Sequence, residues 1–151
     1  MSGSFTAAGC AVMAAVGFAG ALVVGTGLAY AGDFARIEIP RDPNGIIEFH
    51  TPSDNIACTL EETGNDGSGA PEFDCDRLAP TYLRFILPAT GAASILDHVD
   101  EQWCCGGYNE LPYGREWQSA PFTCDSSSSG LSCENAAGHG FFISKAKVKA
   151  Y

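Results

Sequence analysis

Six cysteines, three histidines and a scatter of carboxylates are the side chains of this chain whose types could do chemistry. Cys58, Cys75, Cys104, Cys105, Cys124 and Cys133 all follow an apolar leader, within which a seventh thiol, Cys10, stands apart. An even set of thiols behind an export signal reads as a disulfide framework closed in an oxidising compartment. Cys124 and Cys133 flank the turn-forming stretch DSSSSGLS and are expected to bridge across an antiparallel hairpin. Cys58 and Cys75 flank an acidic loop in the same way. Each closure is worth about 3 kcal/mol on the loop-entropy argument. Cys104 and Cys105 are left over. Adjacent cysteines can close an eight-membered ring, reach separate partners or bridge to another molecule, and only elimination favours the ring.

Among the imidazoles, His139 is the best candidate for catalysis. Set between Gly138 and Gly140 at the opening of a strand, it could present its ring for acid–base work with a carboxylate. The plainer reading is a turn in which the glycines supply positive φ and the histidine bonds to backbone. His50 and His98 belong to no metal-ligand spacing, and no Cys pair is spaced for zinc, so no metal or cofactor is expected. Cys104-Cys105-Gly106-Gly107 is not a C-x-x-C redox motif, and no G-x-S-x-G elbow occurs. The acids Asp54, Glu61, Glu62, Asp66, Glu72, Asp74 and Asp76 lack the ligand order of a calcium loop and read as a solvated face. Trp103, Tyr108, Tyr113 and Trp117 cluster around Leu-Pro-Tyr-Gly. They belong either to the core or to an exposed aromatic patch that recognises a glycan or a protein. Lys145, Lys147 and Lys149 alternate with small residues, as on a protected edge strand or a surface for an acidic partner.

The elements that must position these residues begin after the leader. Residues 7–31 carry no charged side chain and end in Ala29-Tyr30-Ala31, a signal-peptidase pattern, so 1–31 is expected to be a cleaved signal peptide and 32–151 a single exported domain. The alternative is an uncleaved N-terminal anchor, which the Gly/Ala-rich composition disfavours. Eighteen acidic against eight basic side chains give a net charge of −10. Such a surface excludes a nucleic-acid partner and adhesion to anionic lipid, and suits solubility in the periplasm or medium.

Short β-type runs at 35–39, 46–49, 56–62, 72–76, 81–87, 116–118, 121–125, 131–134 and 140–144 are separated by Gly, Pro, Ser and Asn punctuation. The run at 81–87 reads as a strand covered on both faces. Ile95, Val99 and Trp103, spaced four apart behind Ser94 and Asp97, predict one short helix over 94–103. No repeat of fixed period is visible. The expected fold is mainly β: a small, disulfide-stapled antiparallel sandwich or barrel with at most one short helix.

Three blocks carry a resemblance: Phe49-x-Thr51-Pro52-Ser53-x-Asn55-Ile56-x-Cys58, Leu111-Pro112-Tyr113-Gly114-x-x-Trp117, and Phe122 through Lys145 with its Cys-x-Asn and Gly-His-Gly-Phe. Together with Cys75-Asp76 they resemble the signature of small exported bacterial proteins catalogued as a domain of unknown function. In that pattern a Gly usually stands where this chain has Asp54, and the cysteine placement within 78–108 differs. The resemblance implies export and a disulfide-bearing β domain and supplies no activity. The expected function is therefore a non-enzymatic binding or inhibitor-like module of the envelope or medium, with Tyr113, Trp117 and Trp103 as its binding aromatics and a protein or glycan as partner. The alternatives are a small hydrolase using His139 and a structural envelope component.

Overall fold

A period-two alternation of buried and half-buried residues runs through the longer strands and decides the architecture. The computed structural model describes residues 34–64, 69–100, 102 and 109–151. The leader, Trp103, Tyr108 and the Cys104/Cys105 pairing lie outside the described residues. Eleven strands and no helix occur among those described. β2 (Ile47–His50), β3 (Ile56–Glu61), β4 (Glu72–Arg77), β5 (Leu83–Pro88) and β6 (Ser94–Leu96) form a five-stranded antiparallel meander. A second meander consists of β7 (Arg115–Ser119), β8 (Phe122–Ser127), β9 (Gly130–Asn135), β10 (Gly140–Ile143) and β11 (Val148–Ala150). The strand β1 (Ala35–Ile37) adds to its edge, parallel to β7. The sheets remain open and stack face to face, which makes the fold a sandwich rather than a barrel. Gly32–Tyr151 is one compact unit.

The two meanders repeat one plan. Across the inner face of the first, Phe49, Cys58, Cys75, Phe85 and Ile95 lie in one transverse row. Across the second, Trp117, Cys124, Cys133, Phe141 and Ala150 lie in the equivalent row. In each, an aromatic residue flanks both sides of a cross-strand disulfide. The bridged cysteines face each other directly, with Cα atoms 4.1 Å apart in both pairs. The separation of the bridged cysteines along the chain is 17 in the first and 9 in the second, so the repeat has no constant period to betray it.

Phe73 joins the layers. Its ring stacks on Trp117 at 5.3 Å and meets Phe122 at 5.6 Å and Phe141 at 6.3 Å, all on the opposite sheet. Phe85 meets Phe141 at 5.4 Å. These rings are buried, and aromatic pairs of this kind add roughly 0.5–1.5 kcal/mol each beyond area burial.

Two expectations are corrected. Ser94–Leu96 is not the start of a helix but an edge strand on β5, and residues 97–100 are irregular. Three apolar residues at helical spacing make a weak signal, and an isolated turn of helix is costly to nucleate. Ladder bonds to β5 instead satisfy the backbone and place Ile95 beside Phe85. β5 itself is not covered on both faces. Phe85 and Leu87 point into the core, whereas Arg84 and Ile86 alternate outward and are only partly buried. Of the eleven strands described, β6 alone was announced by no β-type run or edge pattern; at three residues it is too short to leave one.

Candidate binding groove

In a meander, alternate connections fall at the same end of the sheet. The connections 51–55, 78–82, 128–129 and 144–147 therefore gather at one end of the sandwich, together with the turn 111–114 that leads into β7. Between them lies an open groove of about 470 Å³. Thr51, Ser53, Asn55 and Ile56 line it from the first meander, Tyr113 from the turn, Ser127 to Gly130 from the β8–β9 hairpin, and Ser144 to Ala146 from the β10–β11 turn. The three blocks that carry the sequence resemblance thus meet at one place. Hydroxyls dominate the lining, and no carboxylate among the described residues contributes to it.

Each wall is braced from behind. The Thr51 N–H donates to the Ile56 carbonyl at 2.9 Å, and Asp54 N–H donates to the Thr51 carbonyl at 2.9 Å, which folds the tight turn. Asp54 takes φ 53° there, a left-handed conformation ordinarily given to glycine, and its carboxylate pairs with His50 Nδ1 at 2.8 Å. Asn55 Nδ2 donates to the Ala79 carbonyl at 3.0 Å and its Oδ1 accepts from Ala79 N–H at 2.8 Å. That reciprocal pair locks 51–55 to 78–82. Ser126 Oγ donates to the Leu111 carbonyl at 3.1 Å, and Gly114 N–H to the Ser126 carbonyl at 2.8 Å, which anchors the Tyr113 turn on β8. Beneath the groove, buried Arg77 donates through Nη1 to the Ser144 carbonyl at 3.2 Å and through Nη2 to the Thr81 carbonyl at 3.1 Å. Burial lowers its pKa, yet a guanidinium stays charged in a protein.

The braced hydroxyls are held by the fold, whereas three polar groups are left to the groove. Among the described residues, the Tyr113 phenol, the Ser128 hydroxyl and the Lys145 ammonium make no hydrogen bond. Tyr113 is 43 % exposed. Chemically, the arrangement offers donors and acceptors on a rigid frame with one aromatic face, and no acid–base pair.

The sequence-nominated residues divide accordingly. Tyr113 is at the groove. Trp117 is not, and this corrects the expected surface patch: it is 1 % exposed, with its ring against Phe49 at 5.1 Å and Phe73 at 5.3 Å. Its place in the inner row opposite Cys124 dictates that burial. Trp103 lies outside the described residues. His139 sits at the far end of the sandwich in the β9–β10 turn, half-buried. Its backbone N–H donates to Asn135 Oδ1 at 3.1 Å and its carbonyl accepts from Asn135 N–H at 2.8 Å. No described acid or hydroxyl bonds its ring. The flanking glycines have structural reasons to be there. Gly138 has φ +80°, and a Cβ at Gly140 would stand 2.1 Å from the Cys133 carbonyl oxygen.

The bridges Cys58–Cys75 and Cys124–Cys133 form as their flanking turns implied. No cluster of metal-ligating residues occurs among those described. A second hollow, on the outer side of the smaller sheet, is lined by Tyr82, Arg84, Asp97 and His98, but its groups bond one another. Arg84 forks onto Asp76 at 2.9 and 3.2 Å and donates to Tyr82 Oη at 3.1 Å. His98 meets Asp97 at 2.8 Å, which raises the imidazole pKa and lowers that of the carboxyl. Asn55, Ser53 and Ser128 were missed as site residues, since each reads singly as loop usage, whereas in sequence Lys145 reads as part of an edge strand or a surface for an acidic partner. The available signal was their shared membership in the three blocks.

Among the described residues no helix is long and apolar enough to cross a membrane. The two disulfides imply folding in an oxidising environment. No family model, curated protein or solved structure matches the chain.

Proposed function

We propose that this chain is an exported, non-catalytic binding module that holds a carbohydrate in the groove at its signature-block end. On this reading residues 1–31 are a cleaved signal peptide, and the domain works in the periplasm or medium as one of the small exported proteins it resembles. The observation that carries the proposal is the convergence of three distant blocks on a groove whose unpaired groups are a phenol, a hydroxyl and an ammonium. Sugar hydroxyls both donate and accept, and Ser, Thr, Asn and Tyr side chains answer them in both roles. The exposed Tyr113 ring offers an apolar face to the C–H surface of a pyranose. Bracing from behind reduces the ordering cost of binding. His139, at the other end and with no described partner, gives the hydrolase alternative no support.

The test is an oligosaccharide array probed with the mature domain and with Tyr113→Ala. The expected result is retention of a subset of glycans without their cleavage, with affinity falling at least about ten-fold in the variant, the scale of one lost aromatic contact. Retention that is indifferent to Tyr113, or release of shortened products, overturns the proposal. N-terminal sequencing of the secreted protein, expected to begin at Gly32, tests the export part.

A further inference from the structure

We infer that the groove is built for an acidic oligosaccharide, one bearing carboxylate, sulfate or phosphate groups; this rests on the carbohydrate reading above. The basis is how the eight basic side chains are distributed. Arg36, Arg41 and Arg84 each pair with a carboxylate: Glu116 at 2.6 Å, Glu62 at 2.8 Å and Asp76 at 2.9 Å. Lys149 lacks a carboxylate partner among the described residues; it lies over the Tyr151 ring at 5.0 Å and outside the groove lining. The other four are Arg77, Arg115, Lys145 and Lys147, and none has a carboxylate partner among the described residues. All four sit at the groove end.

Their placement follows from the topology. Lys145 lines the groove, and Lys147 belongs to the same turn, whose backbone Ser144 clamps at 2.8 Å. Arg115 opens β7 directly after the Tyr113 turn, opposite Ser126. Arg77 is only 5 % exposed and satisfies its guanidinium entirely on carbonyl oxygens, including that of Ser144 in the groove wall. A buried cation without a counter-ion raises the potential above it, and the low-dielectric surroundings screen it little. Asp54, Asp76 and Glu110, acids of that end, lie outside the lining; Asp54 is paired with His50 and Asp76 with Arg84.

In a chain of net charge −10, this segregation leaves one positive end on an otherwise negative body. An anionic polymer is repelled everywhere else, so the charge pattern directs it to the groove and also fixes its orientation. Lys145 supplies the contact, Arg115 and Lys147 flank it, and Arg77 biases the floor.

The experiment compares matched arrays of uronate-bearing, sulfated, phosphorylated and neutral oligosaccharides, with wild type, Lys145→Ala and Lys145→Arg. Lys145 is exposed, and melting curves confirm that the variants fold. Retention of acidic glycans with about ten-fold loss in Lys145→Ala, and recovery to within about three-fold in Lys145→Arg, supports the inference. The anionic group retained best identifies which of the three chemistries is bound. Equal retention of neutral and acidic glycans, or acidic binding that ignores Lys145, overturns the charge inference while leaving the groove reading standing. Retention of no glycan of either kind overturns both.

Discussion

Arg77 and Asn135 occupy the same place in the two meanders, and each reaches across the sandwich to the equivalent carbonyl of the other. Each stands two residues after the second bridged cysteine of its sheet. Arg77 donates to the carbonyl of Ser144, just beyond β10, and Asn135 Nδ2 donates to that of Pro88, at the end of β5, at 3.0 Å. Ser144 and Pro88 stand at matching distances past Phe141 and Phe85. The chain thus contains two five-stranded meanders built on one plan and stitched reciprocally at both ends by buried polar side chains. Asn135 also donates to the Gly91 carbonyl at 2.9 Å and accepts from Ala137 and His139 N–H groups at 3.0 and 3.1 Å.

Asn135→Ala therefore strands two carbonyls and two N–H groups at the far end of the sandwich. It is expected to cost about 2–4 kcal/mol, the scale of several lost buried hydrogen bonds. Asn135→Asp keeps the acceptor but removes both donors and sets a charge against two carbonyls, so it is expected to be no milder. Urea denaturation of the two variants measures both. A loss below about 1 kcal/mol in each would remove the stitch from the account of stability.

The two bridges differ in the loop they close. With a separation of 17 against 9, the loop-entropy relation gives Cys58–Cys75 about 0.5 kcal/mol more stabilisation than Cys124–Cys133. Paired Cys→Ala variants in denaturant titrations give that order directly. All four cysteines are at most 2 % exposed, so a reductant reaches their sulfurs only after opening. Dithiothreitol on the native domain is expected to leave both bridges intact by mass, and to reduce both once urea passes the midpoint.

At Asp54 the backbone holds a non-glycine residue in the left-handed region. A β-branched side chain tolerates that region worst, and glycine tolerates it freely. Asp54→Val is expected to lower stability by about 1–2 kcal/mol, the left-handed penalty for an L-residue. Asp54→Gly is expected to change it by less than about 1 kcal/mol, since the relief of strain offsets a more flexible unfolded chain and a lost exposed pair. Thermal melts of the two variants, if they shift alike, would show that the turn is not under conformational strain.

Much of this was legible in the chain. Cysteines flanking turn chemistry gave both described bridges, and Ile56, Cys58 and Leu60 at period two gave the inward face of β3. Tyr113 and Trp117 could not be told apart by type. They stand four positions apart, yet one sits in an exposed turn and the other in the middle residue pair of the β7–β8 ladder, a distinction that only pairing register makes. The groove was illegible for a related reason. Ser53, Ser128 and Lys145 come together because meander connections alternate ends, which is a property of topology rather than of any local pattern. The shared plan was hidden because the connection between β3 and β4 is much longer than its counterpart between β8 and β9.

Asp74 sets the pH dependence of the smaller sheet. It stands on the outer face of β4 between Glu72 and Asp76, opposite Thr59 on β3 and Ile86 on β5, with Glu61 and Arg84 nearby. Its Oδ1 is buried without a hydrogen bond. Burial, and then the charge of Glu72, push its pKa up to about 7, against the attraction of Arg84. The folded state thus holds a proton that the unfolded chain releases near 3.8. Between those two values the native form binds more protons, so this group makes stability fall as pH rises, levelling off above about pH 7. Asp125 on the other sheet, also raised by burial and then by Glu116 and Glu134, contributes in the same direction. Asp74→Asn removes the titration. Relative to wild type it is expected to gain stability progressively from pH 4 to pH 7, reaching about 1–3 kcal/mol, and to gain nothing more above. Urea midpoints at half-unit pH steps trace the curve. A difference between the two proteins that stays flat over that range would mean the Asp74 carboxyl ionises on the native sheet as readily as in water.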